Sequence, residues 1–169
     1  QKLIDYTYNQ SQIYNIDKEN FDTFNEEIFS DVPDEKLYNS KRSPRENILI
    51  IKEDGVLAGV EMAKRIFAHF DKELAVEVLI NDGAEVKKGD VAMRVSGKVR
   101  SLLQTERLML NVMQRMSGIA TMTRKYVKQL EGTNTRVLDT RKTTPGMRIM
   151  EKEAVKIGGG VNHRIGLFD

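Results

Sequence analysis

Two cationic clusters carry the chemistry open to this sequence. The first, Asp139-Thr140-Arg141-Lys142-Thr143-Thr144, sets two adjacent cations among three hydroxyls. It follows a predicted short strand, Arg136-Val137-Leu138, and precedes Thr144-Pro145, which reads as an N-cap hydroxyl with proline at the first helical position. Unpaired backbone N–H groups at a helix N-terminus carry partial positive charge. Arg141 can grip a carboxylate or phosphate with two hydrogen bonds, and Lys142 adds a point charge. The ligand expected is a small anion, and spacing alone leaves a solvated basic turn open.

The second cluster, Asn162-His163-Arg164, follows three glycines, Gly158 to Gly160. The glycines either let backbone approach a ligand or end a helix. A lone histidine is ordinarily a satisfied surface group. His163, however, adjoins Arg164 after a second strand–helix exit and can share one site with Arg141. His69 lies between Phe67 and Phe70 and reads as structural. Glu106-Arg107 is a third feature, for which an exposed ion pair at a helix start is the plainer alternative. The sequence holds no Gly-x-Ser-x-Gly, phosphate-binding Gly loop or histidine pair at metal spacing. Its parts are cationic and hydrogen-bonding, which suits catalysis by positioning and charge stabilisation.

These residues need elements to hold them. Phe21, Phe24, Ile28 and Phe29 recur at helical spacing and predict a short helix before Asp31-Val32-Pro33-Asp34. Residues 47–52 predict a strand, stopped by a hairpin-type turn at Glu53-Asp54-Gly55 and resumed at 56–59. Residues 60–71 predict a helix with Met62, Ile66, Phe67 and Phe70 on one face. Strands are expected over 75–80, 90–96 and 97–103. One long helix is expected over 105–130, its core stripe carried by Met109, Met113, Met116 and Ala120. A last helix over 146–157, striped by Met147, Met150, Ala154 and Ile157, gives the strand–helix–strand start of an α/β repeat.

Composition narrows the class. The 169 residues are 40% apolar and 31% charged with three prolines, which suits a globular chain rather than a disordered one. No apolar run reaches ~18 residues, so no transmembrane helix is expected. Without cysteine there is no disulfide framework, and a cytoplasmic location is the simplest reading. Residues 1–60 hold 7 Lys+Arg against 12 Asp+Glu, and the remainder 20 against 13. A basic body suits an anionic partner. Nucleic acid is disfavoured, because only 7% of residues are aromatic and none interleaves with the later basic cluster.

The motifs carry a resemblance. Residues 105–111 (TERLMLN), 116–121 (MSGIAT), 138–146 (LDTRKTTPG) and 154–169 (AVKIGGGVNHRIGLFD) closely resemble the quinolinate phosphoribosyltransferase family. Residues 47–103 match it more loosely, and residues 1–40 depart from its pattern. The resemblance implies an α/β fold: an N-terminal α/β sandwich over 1–116, including the start of the long helix, then the first part of an incomplete α/β barrel over 117–169. It implies phosphoribosyl transfer from phosphoribosyl pyrophosphate to quinolinate with loss of CO2, giving nicotinate mononucleotide for NAD biosynthesis, with Mg²⁺ accompanying the pyrophosphate. It also implies a homodimer with a shared site. Arg107 would reach across to a quinolinate carboxylate. Thr140, Arg141, His163 and Arg164 would hold the dicarboxylate, and Lys142 would face phosphoribosyl pyrophosphate.

A complete barrel takes ~250 residues, far more than the fifty or so that follow the first domain. The expectation is therefore a truncated or longer chain. As 169 residues alone it would be inactive and poorly soluble, lacking the family's carboxylates for Mg²⁺ and ribose. Asp139 is the only acid within the two cationic clusters, and either orients Arg141 or meets the metal. Three other readings remain: a related nicotinate or molybdenum-locus phosphoribosyltransferase-like protein, a non-catalytic fragment, and a biotinyl/lipoyl-type carrier. The last would need a modifiable lysine at Lys87, Lys88 or Lys98.

Overall fold

The computed structural model describes residues 14–15 and 44–164. The helix expected near residues 21–29 lies outside them. The elements in chain order are β1 (Tyr14–Asn15), β2 (Pro44–Ile51), β3 (Gly55–Val56), α1 (Val60–Phe70), β4 (Ala75–Val78), β5 (Glu85–Val86), β6 (Val91–Lys98), α2 (Val99–Gln129) and α3 (Arg148–Ile157). Four strands form an antiparallel sheet in the order β1-β2-β6-β4. β2 buries Leu49 and Ile51, and β6 buries Met93 and Val95. Against these pack Val60, Ala63 and Phe67 of α1 and Leu102, Met109, Leu110 and Met113 of α2.

Several expectations give way here. Glu53-Asp54-Gly55 does not close a hairpin. The chain leaves the main sheet there, and β3 pairs with β5 in a separate two-stranded sheet. The backbone at Gly55 lies so close to α2 that an added Cβ would sit 2.7 Å from Thr121 Oγ1. Phe70 does not join the buried face of α1 but is 48% exposed, and Val60 and Ala63 take the buried positions. Gly59 starts that helix at φ 103°, and the Asp82 carboxylate accepts the Val60 and Glu61 N–H groups at 2.8 and 3.2 Å.

The strand expected over 97–103 is instead the tail of β6 followed by the first turn of α2. Leu102 belongs to the same buried stripe as Met109 and Met113, so the helical repeat reaches back past 105, to Val99. Thr105 supports that turn by donating from its hydroxyl to the Ser101 carbonyl at 2.7 Å. α2 is thereby 31 residues long and is buried on two sides. Its second side, Val112, Met116 and Ala120, packs with Val56, Ala58 and Ala154. Two hydroxyls within that contact do the work of a partner strand. Thr121 Oγ1 accepts the Val56 N–H at 2.8 Å. Ser117 Oγ accepts the Ala58 N–H at 2.9 Å and donates to the Ala58 carbonyl at 3.0 Å.

Beyond α2 the chain forms one strand–helix–strand unit, reduced to a single parallel bridge between Leu138 and Val161. The bridge is framed by Val161 N–H to the Val137 carbonyl at 2.8 Å and Asp139 N–H to the Val161 carbonyl at 3.0 Å. α3 starts at Arg148, later than the Thr144-Pro145 signal, because residues 144–147 close a turn, with the Met147 N–H on the Thr144 carbonyl at 3.0 Å.

The two-sided burial of α2 makes Ser117 a testable hinge of the fold. Ser117→Ala leaves both polar groups of Ala58 buried and unpaired, at a cost of about 1–3 kcal/mol. Urea unfolding should show that loss, and a midpoint equal to the parent's would refute it.

Candidate functional site

Both cationic clusters leave the bridged strands at the same end. Leu138 leads into Thr140, Arg141 and Lys142, and Val161 leads into His163 and Arg164. All five side-chain-bearing residues of these loops named as candidates are exposed. Adjacent parallel strands followed by loops at their C-terminal ends are where α/β folds put ligand-binding groups.

The loops are shaped by local bonds. Thr140 Oγ1 accepts the Lys142 N–H at 3.1 Å, and the Arg141 carbonyl accepts the Thr143 N–H at 3.1 Å. These fold residues 140–143 into a tight turn that lifts Arg141 and Lys142 outward. Thr144 does not cap α3 through its side chain. Its hydroxyl accepts from Arg115 of α2, and its N–H donates to Glu151 at 3.2 Å. Arg115 also pairs with Glu151. Burial pushes the Glu151 carboxyl up, but the Arg115 and Thr144 hydrogen bonds outweigh it and hold it below its ordinary value.

Beneath the exposed cations sits a buried pair that periodicity does not reveal. Asp139 and Lys152 each keep 4% of their side chain exposed and form an ion pair. Asp139 Oδ1 also accepts the His163 backbone N–H at 2.7 Å. The Asn162 amide, turned with its nitrogen inward, reaches Asp139 Oδ2 and the Lys152 carbonyl, both at 3.0 Å. Burial raises the Asp139 carboxyl, yet the Lys152 and His163 hydrogen bonds and the Lys152 and Arg148 charges bring it below its ordinary value. Asp139 therefore ties one strand end to the next. The expectation that it orients Arg141 is replaced by this pairing, which occupies the carboxylate. Lys152 escapes a sequence reading because Glu151-Lys152-Glu153 looks like a solvated face. It sits about 200° around the helix from Met150 and so faces the strands rather than α2.

The glycine run serves packing. A Cβ at Gly158 would lie 2.6 Å from the Ala120 carbonyl oxygen, so α3 ends against α2 and not against a ligand. Arg124 of α2 secures that end by donating to the Gly158 and Ile157 carbonyls at 3.0 and 3.2 Å.

Arg107 stands apart. It is exposed on α2, eight residues, or about 12 Å along the axis, before the Arg115 that holds Thr144. Its neighbour Glu106 is no exposed helix-start partner, since α2 begins at Val99. Glu106 lines a small apolar cavity with Phe67, Met93 and Met109, and burial raises its carboxyl pKa against the opposing charge of Arg107. Among the described residues no group of three His, Cys, Asp or Glu can hold a metal. With Asp139 taken up by Lys152, these residues do not fit a Mg²⁺ site. No helix among them is long and apolar enough to cross a membrane.

Comparison with known proteins matches this frame. Residues 36–117 match the family described as quinolinate phosphoribosyl transferase, N-terminal domain, and residues 119–169 the corresponding C-terminal domain. A tobacco (Nicotiana tabacum) quinolinate phosphoribosyltransferase [decarboxylating] 1b is 50% identical over 120 residues, 71% of this chain and 34% of that protein. A probable nicotinate-nucleotide pyrophosphorylase [carboxylating] of Synechocystis is 48% identical over 120 residues, covering 71% of this chain and 41% of the relative. The chain thus spans roughly a third to two fifths of these relatives. The crystal structure of NadC from Streptococcus pyogenes superposes with a TM-score of 0.73 at 40% identity, over 89% of this chain and 55% of that one.

The buried pair makes a pH-dependent prediction. The folded pKa of Asp139 lies below its unfolded value of about 3.9, so the pair's contribution is complete above that pH and is lost as pH falls through the folded value. Lys152→Met strands a buried carboxylate and should cost about 3–5 kcal/mol at pH 7. That deficit should shrink towards pH 4 as the stranded acid takes up a proton. Denaturation of parent and variant at both pH values checks it, and a pH-independent deficit would argue for lost packing alone.

Proposed function

The chain belongs to the quinolinate phosphoribosyltransferase family, and we propose from that premise that the protein carrying it converts quinolinate and phosphoribosyl pyrophosphate to nicotinate mononucleotide, pyrophosphate and CO2. In this reading the quinolinate ring nitrogen attacks C1 of the ribose and pyrophosphate departs with the bonding electrons; the 2-carboxylate then leaves as CO2, its bonding electrons stay on ring C2, and C2 takes up a proton from water. The observation that carries the reading is the convergence of Arg141 and His163-Arg164 on adjacent strand ends above a neutralised Asp139–Lys152 pair. A planar dicarboxylate needs several cations to leave water. Thr140, Arg141, His163 and Arg164 supply a hydroxyl, two fork donors and an imidazole, while the nearest acid is already paired. Lys142, one residue on, suits the phosphoribosyl pyrophosphate side. Mg²⁺, for which the described residues offer no ligand set, would be held by the phosphates of that substrate. Charge gathered over developing pyrophosphate and held carboxylates is the source of rate.

Arg107 fits a site shared within a homodimer, its guanidinium offered outward from α2 to a second subunit. The absence of cysteine suits a reducing cytoplasmic compartment.

Two experiments test this in the full-length chain. Arg141→Ala should raise the quinolinate KM and lower kcat/KM by about 10–150-fold, the loss of one charge-assisted contact of ~1.5–3 kcal/mol, with little change for phosphoribosyl pyrophosphate. Unchanged quinolinate kinetics would remove Arg141 from the site. Arg107→Ala and Arg141→Ala proteins should each be nearly inactive, yet regain part of the activity when subunits are exchanged, because one hybrid site then carries both arginines. No recovery after verified exchange would put Arg107 in the same subunit's site.

A further inference from the structure

Arg148, the first residue of α3, bonds the backbone of both cationic loops with one side chain. Its Nη1 donates to the Arg141 carbonyl and its Nη2 to the Arg164 carbonyl, each at 3.2 Å. The two acceptors belong to the two residues whose own guanidinium groups face outward. They lie on separate strand exits: Arg141 precedes Arg148 by seven residues, and Arg164 follows it by sixteen. A guanidinium is planar and rigid, so two carbonyls held by its two terminal nitrogens have their separation set by covalent geometry. The Arg148 charge also acts on Asp139, which holds the His163 N–H. One side chain rooted in a helix thus joins both loops at the level of their backbone.

We propose that Arg148 is a positioning residue: it straps the Arg141 and Arg164 backbones together, fixing the spacing at which their side chains meet the two carboxylates of a planar dicarboxylate. This rests on the quinolinate reading for the identity of the ligand, but the strap itself does not. The side chain touches no substrate in this scheme. Its effect passes through the placement of Arg141 and Arg164, and misplacing reacting or binding groups by ~1 Å can cost on the order of 100-fold.

The test uses Arg148→Met, which keeps the aliphatic stem, and Arg148→Lys, which keeps the charge but has no fork to span two carbonyls. Hydrogen–deuterium exchange without ligand reads the strap directly. Segments 139–144 and 160–164 should exchange faster in both variants, while α3 over 150–157 stays protected. Steady-state kinetics of the full-length chain reads the consequence. The quinolinate KM should rise by roughly 10–100-fold in Arg148→Met and by less in Arg148→Lys. The KM for phosphoribosyl pyrophosphate and the melting temperature should move little. Loop exchange unchanged from the parent overturns the strap whatever the substrate. So does Arg148→Lys behaving as the parent in both measurements, which would reduce Arg148 to a charge. Faster loops with unaltered quinolinate KM overturn its role in substrate placement. A parent protein that shows loosened loops on substitution but never turns over quinolinate would instead sink the quinolinate reading and leave the strap standing.

Discussion

The structure depends on one helix being buried on two sides at once. α2 gives Leu102, Met109 and Met113 to the antiparallel sheet and Val112, Met116 and Ala120 to the strand–helix–strand unit. A helix so placed has few surfaces left for polar groups, and those caught inside must find partners. Ser117 and Thr121 do so by bonding the backbone of residues 56–58, whose edge would otherwise need a neighbouring strand. The two halves of the chain are therefore joined by hydroxyl-to-backbone bonds inside an apolar contact. Small residues make the approach possible. Gly55, Ala58 and Ala120 lie at the closest points, and Gly158 ends α3 against the α2 backbone.

That packing explains how a site of mobile side-chain types can be held in place. Arg141, Lys142, His163 and Arg164 are exposed, but the segments beneath them are tied at several points to rigid elements. α2 reaches the first loop through Arg115 and the end of α3 through Arg124. Asp139 and Lys152 bind the two strand exits from below. A buried ion pair adds little net stability compared with apolar packing, and its separation is costly chiefly because a lone charge would remain. Its value here is geometric and electrostatic: it joins two loops while cancelling the Asp139 charge beneath them, as Arg115 cancels that of Glu151 beside Thr144.

The same arrangement divides labour along α3. Its Ala154 face packs on α2, while Lys152 turns to the strands and Arg148 to the loops. Arg148 bonds the backbone of both loops, and Lys152 the Asp139 carboxylate. Helix and loops are coupled tightly enough that a change in α3 would reach the exposed cations of the loops without touching them.

How much of this was legible beforehand follows from the range of the forces involved. The two cationic clusters, the methionine stripe of α2 and the helix ahead of Gly158 are local: residue type and a 3.6-residue repeat suffice to find them. The long motifs at 138–146 and 154–169 name a family because they are specific, and the domain matches agree. What the sequence by itself could not decide are contacts between residues far apart in the chain. Residues 97–103 read as a strand until the burial of Leu102 showed the helix continuing through them. Glu53-Asp54-Gly55 read as a hairpin until Thr121, 65 residues from Val56, took the place of a partner strand. Lys152 read as one charge in a solvated face until the fold set it under Asp139. In each case a polar or marginal segment had two local options of nearly equal free energy, and only a partner delivered by tertiary packing, with its buried hydrogen bond to be satisfied, chose between them.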